Sequence, residues 1–199
     1  MNDWLSRSEM IQRICKYHYT HSIPSGDSLF CQYHGAIVIF SRPANNQVSR
    51  WLLGEDNLVW ELSRLWAPDG HEHNLLTQAV SAATKDFLAT LRREGIARPQ
   101  ALISYADPNA GHSGRIYHAA SWIYLGQSTE TRIYQTTDGL RMARRAFHCG
   151  DRFLTKAQIE ALGFTELKQP GKHRFAKGLS GWARKKINRL AAVSATVLS

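Results

Sequence analysis

The residues best suited to chemistry fall in four short stretches of this chain. The loop Asp107 to Gly114 (DPNAGHSG) follows an apolar segment and combines a carboxylate, the His112 imidazole, and glycines at 111 and 114. Gly111 and Gly114 allow a backbone to approach a ligand closely with its amides exposed. Tyr117 comes just after, where a phenol can serve as general acid or as an orienting donor. In NLVWELSRLWA, strand alternation places Val59, Glu61, Ser63 and Leu65 on one face and Leu58, Trp60, Leu62, Arg64 and Trp66 on the other. Arg64 therefore stands in an otherwise apolar row, with Ser63 beside it. The third stretch holds His18, Tyr19 and His21, with Tyr17 and Tyr33 nearby. Imidazole and phenolate are ligand types that iron accepts. The fourth, His71, Glu72 and His73, has HxH spacing, which spreads the rings around a helix and does not make the HExxH zinc pattern. Each stretch also has a plain reading: turn residues, a packed helical tyrosine, surface rings, a polar loop.

Several elements must position these residues. Leu5, Met10, Ile11 and Ile14 recur at helical spacing and predict a helix from Trp4 to Tyr17, with Ser8 as its cap. The segment from Ser28 to Arg42 reads as a hairpin turning near Gly35, and Asn57 to Ala67 as a strand. After the Pro68–Asp69–Gly70 turn, Asn74 is placed to cap a long amphipathic helix that reaches about Arg93 and stops at Gly95. A buried strand spans Gln100 to Ala106, a short helix Arg115 to Ser121, and two strands Trp122 to Gln127 and Thr131 to Thr136. The central strand–helix–strand unit requires a parallel crossover. The expected fold class is therefore α/β (α+β), a mixed sheet flanked by helices. Ligands in such sheets favour the carboxyl ends of central strands, here beneath Arg64, Trp66 and Asp107.

The chain has 199 residues, a size suited to one compact body with some elaboration. Its three cysteines, Cys15, Cys31 and Cys149, lie far apart with no CxxC spacing, so reduced, partly buried thiols are expected. No apolar run approaches a membrane span and the first residues lack a signal-peptide pattern, so the expected location is the cytoplasm. The net charge of +9 is concentrated: from Leu167 onward there are eight cations and no acid. The expected organisation is a body over residues 1–150 and a basic C-terminal extension over 151–199. Aromatic residues between the cations (Phe164, His173, Phe175) suit a polyanion with exposed bases. A helix from Leu179 to Val193 would put Trp182, Ile187 and Leu190 on one side and cations on the other. Its basic face suits DNA, with a membrane surface as the competing reading.

The element order, and the stretch IYHAASWIYLG after the loop, resemble the Gcn5-related acetyltransferase fold. The glycine turn of that fold's donor signature is missing between Trp66 and Leu76, which read APDGHEHNLL, so coenzyme A-type binding is not expected. A narrower likeness covers Tyr17 to Thr136. His18–Tyr19, ELSRLW at Glu61 to Trp66, and SYADPNAGHSGRIYHAASWIYLG at Ser104 to Gly126 are similar, in that order, to the Mom DNA-modification proteins of phages. That resemblance implies an acetyltransferase-like fold with a diverged pyrophosphate loop. It implies carbamoylmethylation of the exocyclic amine of adenine in double-stranded phage DNA, as protection from host restriction. Arg64, Asp107, Tyr117 and Ser63 become the implied catalytic group, and His112, Gly111 and Gly114 the loop around the donor. Iron is implied at His18 and Tyr19. On this reading Arg64 anchors the small-molecule or acyl donor, Asp107 orients Arg64 or takes a proton, and Tyr117 gives one. A coenzyme A-dependent acetyltransferase and a non-catalytic DNA-binding protein are the alternatives.

Overall fold

Apolar alternation lays down a central sheet, and amphipathic helices cover both of its faces. The computed structural model describes residues 4–143, 146–149 and 152–196. The helices are α1 (Arg7–Tyr17), α2 (Gln47–Leu53), α3 (Leu75–Arg93), α4 (Arg115–Ala119), α5 (Lys156–Ala161) and α6 (Gly181–Thr196). The strands are β1 (Ser28–Tyr33), β2 (Ala36–Ser41), β3 (Val59–Trp66), β4 (Ala101–Ala106), β5 (Ile123–Gln127) and β6 (Thr131–Gln135), then β7 (Arg141–Ala143), β8 (His148–Cys149), β9 (Arg152–Phe153), β10 (Thr165–Gln169) and β11 (His173–Gly178). The six-stranded sheet runs β1-β2-β3-β4-β11-β5, and a smaller one runs β10-β6-β7. In the large sheet β3 and β4 pair in parallel, as the crossover through α3 demands, and the other neighbours pair antiparallel.

Strand parity sorts the core into two layers. Val38, Phe40, Trp60, Leu62, Leu102 and Phe175 point toward α3 and α4. On the opposite face Ile37 and Ile39 meet Met10 and Ile14 of α1, while Val59, Ile103 and Ala176 meet α2 and α6. The β1–β2 hairpin closes through His34 and Gly35, both at positive φ (45° and 80°), the primed turn whose twist matches its strands.

Four expectations need correcting. Helix α1 starts at a capping box between Ser6 and Glu9, not at Ser8, because the Ser6 side chain and Glu9 satisfy each other's free amides. Asn74 stands at the start of α3 but in the left-handed conformation, so its side chain does not cap. Helix α2, built on buried Leu52 and Leu53 and ended by left-handed Gly54, has too few residues to show a periodic stripe. The largest revision concerns the basic C-terminal segment. Its strand β11 lies between β4 and β5 with Phe175 and Ala176 fully buried on opposite faces, so this part of the presumed extension is central sheet. The supposed boundary itself, residues 150–151, falls outside the described residues. In α6 the inward side is Ala183 and Ile187, and Trp182 is 44% exposed. Cys15 is exposed and Cys31 buried, whereas the Cys149 side chain is outside the described residues. Among the described residues no helix is long and apolar enough to cross a membrane.

Candidate active site

The site begins where two parallel strands part. The β3–β4 ladder runs from Val59–Ala101 to Leu62–Ser104 and stops, although β3 continues to Trp66 and β4 to Ala106. At the same level β2 opposes β3 with a break in register: Phe40 faces Leu62 and Ile39 faces Arg64, leaving Ser63 as an extra residue. This is a β-bulge, and its effect is to shift side-chain parity by one from that point on. The Ser63 hydroxyl donates to the Ile39 carbonyl at 3.1 Å, which pins the distortion. Simple alternation put Arg64 in the row of Trp60 and Leu62. The bulge instead gives that row Leu65, which packs into the α3-side core, and sends Arg64 to the side where Glu61 feels its charge. The apparent anomaly of an arginine among apolar residues disappears.

The guanidinium of Arg64 is anchored in three places. Its Nε donates to the Ser22 carbonyl at 2.8 Å, Nη1 to the Ser63 carbonyl at 2.7 Å, and Nη2 to Ser22 Oγ at 3.3 Å. These bonds tie β3 to the loop after α1, the loop that carries His18 and Tyr19. The His18 ring is buried, and its Nδ1 accepts the Thr20 backbone N–H at 3.2 Å, so the neutral ring carries its proton on Nε2. Burial, with the charges of Arg64, His112 and His21 adding to it, depresses the His18 pKa to about 4. Tyr19 lies between the His18 and His112 rings, at centroid distances of 4.5 and 4.8 Å. Burial raises the Tyr19 phenol, and the nearby Asp107 charge adds to this while Arg64 opposes it.

Below this stack, the Tyr117 phenol is fully buried and lies 2.7 Å from Ser104 Oγ, which is 2.7 Å from the Leu62 carbonyl. A carbonyl can only accept, so the single Ser104 proton goes there and Tyr117 donates into Ser104. The pair bridges the last rung of the fork. Burial pushes the Tyr117 pKa up to about 12 against a smaller lowering from the Ser104 bond, so it is a neutral phenol. Gly114 sets the start of α4: it has φ 77°, and a Cβ there would stand 2.2 Å from the Phe175 ring. Only glycine lets α4 come this close to β11.

Asp107 does not meet Arg64, as had been expected. Its Oδ2 pairs with Lys172 Nζ at 3.2 Å, and its Oδ1 accepts the Asn109 backbone N–H (3.0 Å) and side-chain amide (2.9 Å). Burial alone would raise this carboxyl, but Asn109 and Lys172 outweigh it and hold the pKa below the usual carboxylate range. The fork encloses a crevice of about 270 Å³ whose walls include His18, Tyr19, Ser63, His112, Arg115 and Tyr117. Gly111 and Gly114 belong to the same wall, whereas Arg64 and Asp107 do not line it. Ser104 and Lys172 carried no signal of their own in the sequence, one being a strand serine and the other one cation among many. His71, Glu72 and His73 are exposed and do not line the crevice.

The residues around Tyr19 were tested for an iron site. Among the described residues no three His, Cys, Asp or Glu side chains converge. The His18 and Tyr19 ring centroids lie 4.5 Å apart with the planes tilted by 32°, and because Thr20 occupies His18 Nδ1, Nε2 is the nitrogen of that ring left for a ligand. His18 and Tyr19 are the residues that would hold an iron, and no chemical step below involves one.

Much of the C-terminal charge is used inside the fold. Besides Lys172, Arg174 donates to the Leu125 carbonyl and stacks on Trp51, Lys177 donates to the Ala120 carbonyl, and Lys186 reaches the Leu53 carbonyl.

Comparison with known proteins gives one assignment. The Mom protein family matches residues 3–192. No curated protein matches the chain.

Proposed function

The chain belongs to the Mom protein family, and from that premise we propose that the crevice at the strand fork modifies adenine in double-stranded DNA at its exocyclic amine. Membership in this family is consistent with modification of phage DNA. The finer reading is transfer of a carbamoylmethyl group that shields the DNA from host restriction.

The observation that carries this reading is the crevice itself. Its walls include the flat rings of Tyr19, His112 and Tyr117, and the Arg64 cation lies close enough for its charge to act on Tyr19 and His18. An adenine amine is inaccessible within a duplex, so an enzyme acting on it must extrude the base. Flat rings in the wall suit such a base. The fixed positive charge of Arg64 stabilises the carboxylate or carbonyl of a donor and the negative charge that builds as its leaving group departs. The new bond joins the amine nitrogen to a donor carbon, and the amine then loses a proton. Asp107, kept ionised by Lys172 and Asn109, is the fixed negative charge that stabilises the amine as it becomes positive. Tyr117 gives its proton to the leaving group, and the proton released by the amine returns to the Tyr117 oxygen, which Ser104 holds in place. The missing glycine turn before α3 speaks against a coenzyme A thioester as donor, and simple acyl transfer would leave an amide instead of a carbamoylmethyl group.

The test is mass spectrometry of nucleosides from DNA of cells expressing the chain. Adenine should gain the mass of one carbamoylmethyl group, and Arg64→Ala should lower the product by about two orders of magnitude or more, the scale of losing a preorganised charge. DNA free of modified adenine in cells making the folded, unaltered protein would reject the reading.

A further inference from the structure

A second concavity, a groove of about 620 Å³, lies beside the crevice between the end of α1 and the end of β3, lined by Gln12, Arg13, Lys16, Tyr17, Trp66, Pro68 and Asp69. Trp66 is seated on the α1-side core of Met10, Ile14, Ile37 and Ile39. The Tyr17 ring stacks on it at 5.8 Å with 16° between planes, yet Tyr17 remains 55% exposed. Lys16 Nζ stands 5.0 Å from the centre of the Tyr17 ring. Tyr17 directly precedes His18 of the crevice wall and Trp66 directly follows Leu65 of it, so groove and crevice are lined by consecutive residues of the chain at both places.

We propose that this groove is a base-stacking subsite for the DNA strand next to the extruded adenine. This rests on the adenine-modification reading and adds a surface to it. Extruding one base breaks the stack of its neighbours, and an unstacked neighbour needs a flat apolar face. Tyr17 offers that face on a rigid backing, since Trp66 is fixed in the core. A ring of this kind accepts any base, because every base has a π-face. Arg13 and Lys16 supply charge of the sign that a phosphate backbone requires and that releases its counterions. Two neighbouring acids need accounting for. Glu9 is bonded to Ser6 in the capping box, and Asp69 is the one acid among the groove's lining residues, against the two cations Arg13 and Lys16. The two cations thus face a polyanion with limited local opposition.

The experiment measures binding of two fluorescein-labelled probes, a single-stranded oligodeoxynucleotide and a duplex with one unpaired adenine, by anisotropy across a salt series. The unaltered chain is compared with Tyr17→Ala, Tyr17→Phe and the double variant Arg13→Ala/Lys16→Ala, each checked for an unchanged melting temperature. Loss of one stacked base should weaken Tyr17→Ala about tenfold, while Tyr17→Phe, which keeps the ring, should bind like the unaltered chain. The double variant should flatten the dependence of log K on log salt by roughly 1 to 2 in slope. Equal affinity for Tyr17→Ala and an unchanged slope for the double variant would overturn the subsite, as would equal losses in Tyr17→Phe and Tyr17→Ala. Binding and product are read separately. Intact stacking behaviour with unmodified adenine would reject the reaction and leave the groove standing, and modified adenine with indifferent Tyr17 variants would do the reverse.

Discussion

The crevice and the groove are lined by neighbouring residues of the chain but treat their polar groups in opposite ways. At and around the crevice the key polar groups are held by the protein: Tyr117 by Ser104, Arg64 by Ser22 and Ser63, Asp107 by Lys172 and Asn109. In the groove, Tyr17 and Lys16 present their polar and aromatic surface to solvent. The C-terminal segment, although it carries most of the net charge, behaves like the crevice. Lys172, Arg174, Lys177 and Lys186 all spend donors on internal acceptors. Cation density along a sequence therefore says little about where a polyanion rests. An ammonium already given to a buried carbonyl serves the fold, and giving it up for a phosphate leaves that carbonyl unpaired.

Three measurements bear on this contrast between preassembled and open regions. The largest effect belongs to Gly114→Ala. If the C-terminal strand is scaffold for the crevice, driving a methyl into Phe175 at positive φ should cost about 2–4 kcal/mol, combining overpacking with backbone strain. Denaturant unfolding would show it, and a midpoint unchanged from the parent would mean that β11 does not hold α4 in place. A smaller effect is expected from Tyr117→Phe. It removes one buried hydrogen bond but leaves Ser104 bonded to Leu62, so stability should fall by about 1 kcal/mol. Modified adenine should fall by about a hundredfold if the phenol relays a proton. Full product with reduced stability would restrict Tyr117 to packing.

The smallest effect is pH-dependent. The fold holds His18 neutral, with its pKa near 4 instead of 6.5. The unfolded chain therefore takes up a proton first as pH falls. The stability contributed by the neutral ring is complete above about 6.5 and is lost as pH drops toward about 4. Asp107 and other carboxylates titrate at the acid end of the same window, so the informative quantity is the difference between the unaltered chain and His18→Gln. The difference should be pH-dependent below about 6.5 and flat above it. A constant difference across the whole range would show that burial does not perturb the ring.

Much of the sheet was legible from local periodicity. The hairpin at Gly35, the strand through Arg64, the crossover helix, the loop Asp107 to Gly114 and the short helix bearing Tyr117 all emerge near their expected limits. Helix α2 was not, because seven residues give under two turns of pattern. For β11, the prominent cations of HRFAKG drew attention away from an apolar pair buried on both faces. The crevice residues were legible as types, but their partners were not. Asp107 was matched to the wrong cation because Arg64 had been assigned to the wrong face.

By itself the sequence determined the strands and helices from α1 to β6 apart from α2, the parallel crossover, and the family. Those follow from side-chain periods of two and 3.6 residues, from turn chemistry, and from motifs read in order. Tertiary structure alone decided that Ser63 is bulged, that β11 enters between β4 and β5, and that Lys172 meets Asp107. A bulge and a strand's place in a sheet depend on packing summed over segments distant in sequence, and one residue of register reverses every side chain beyond it.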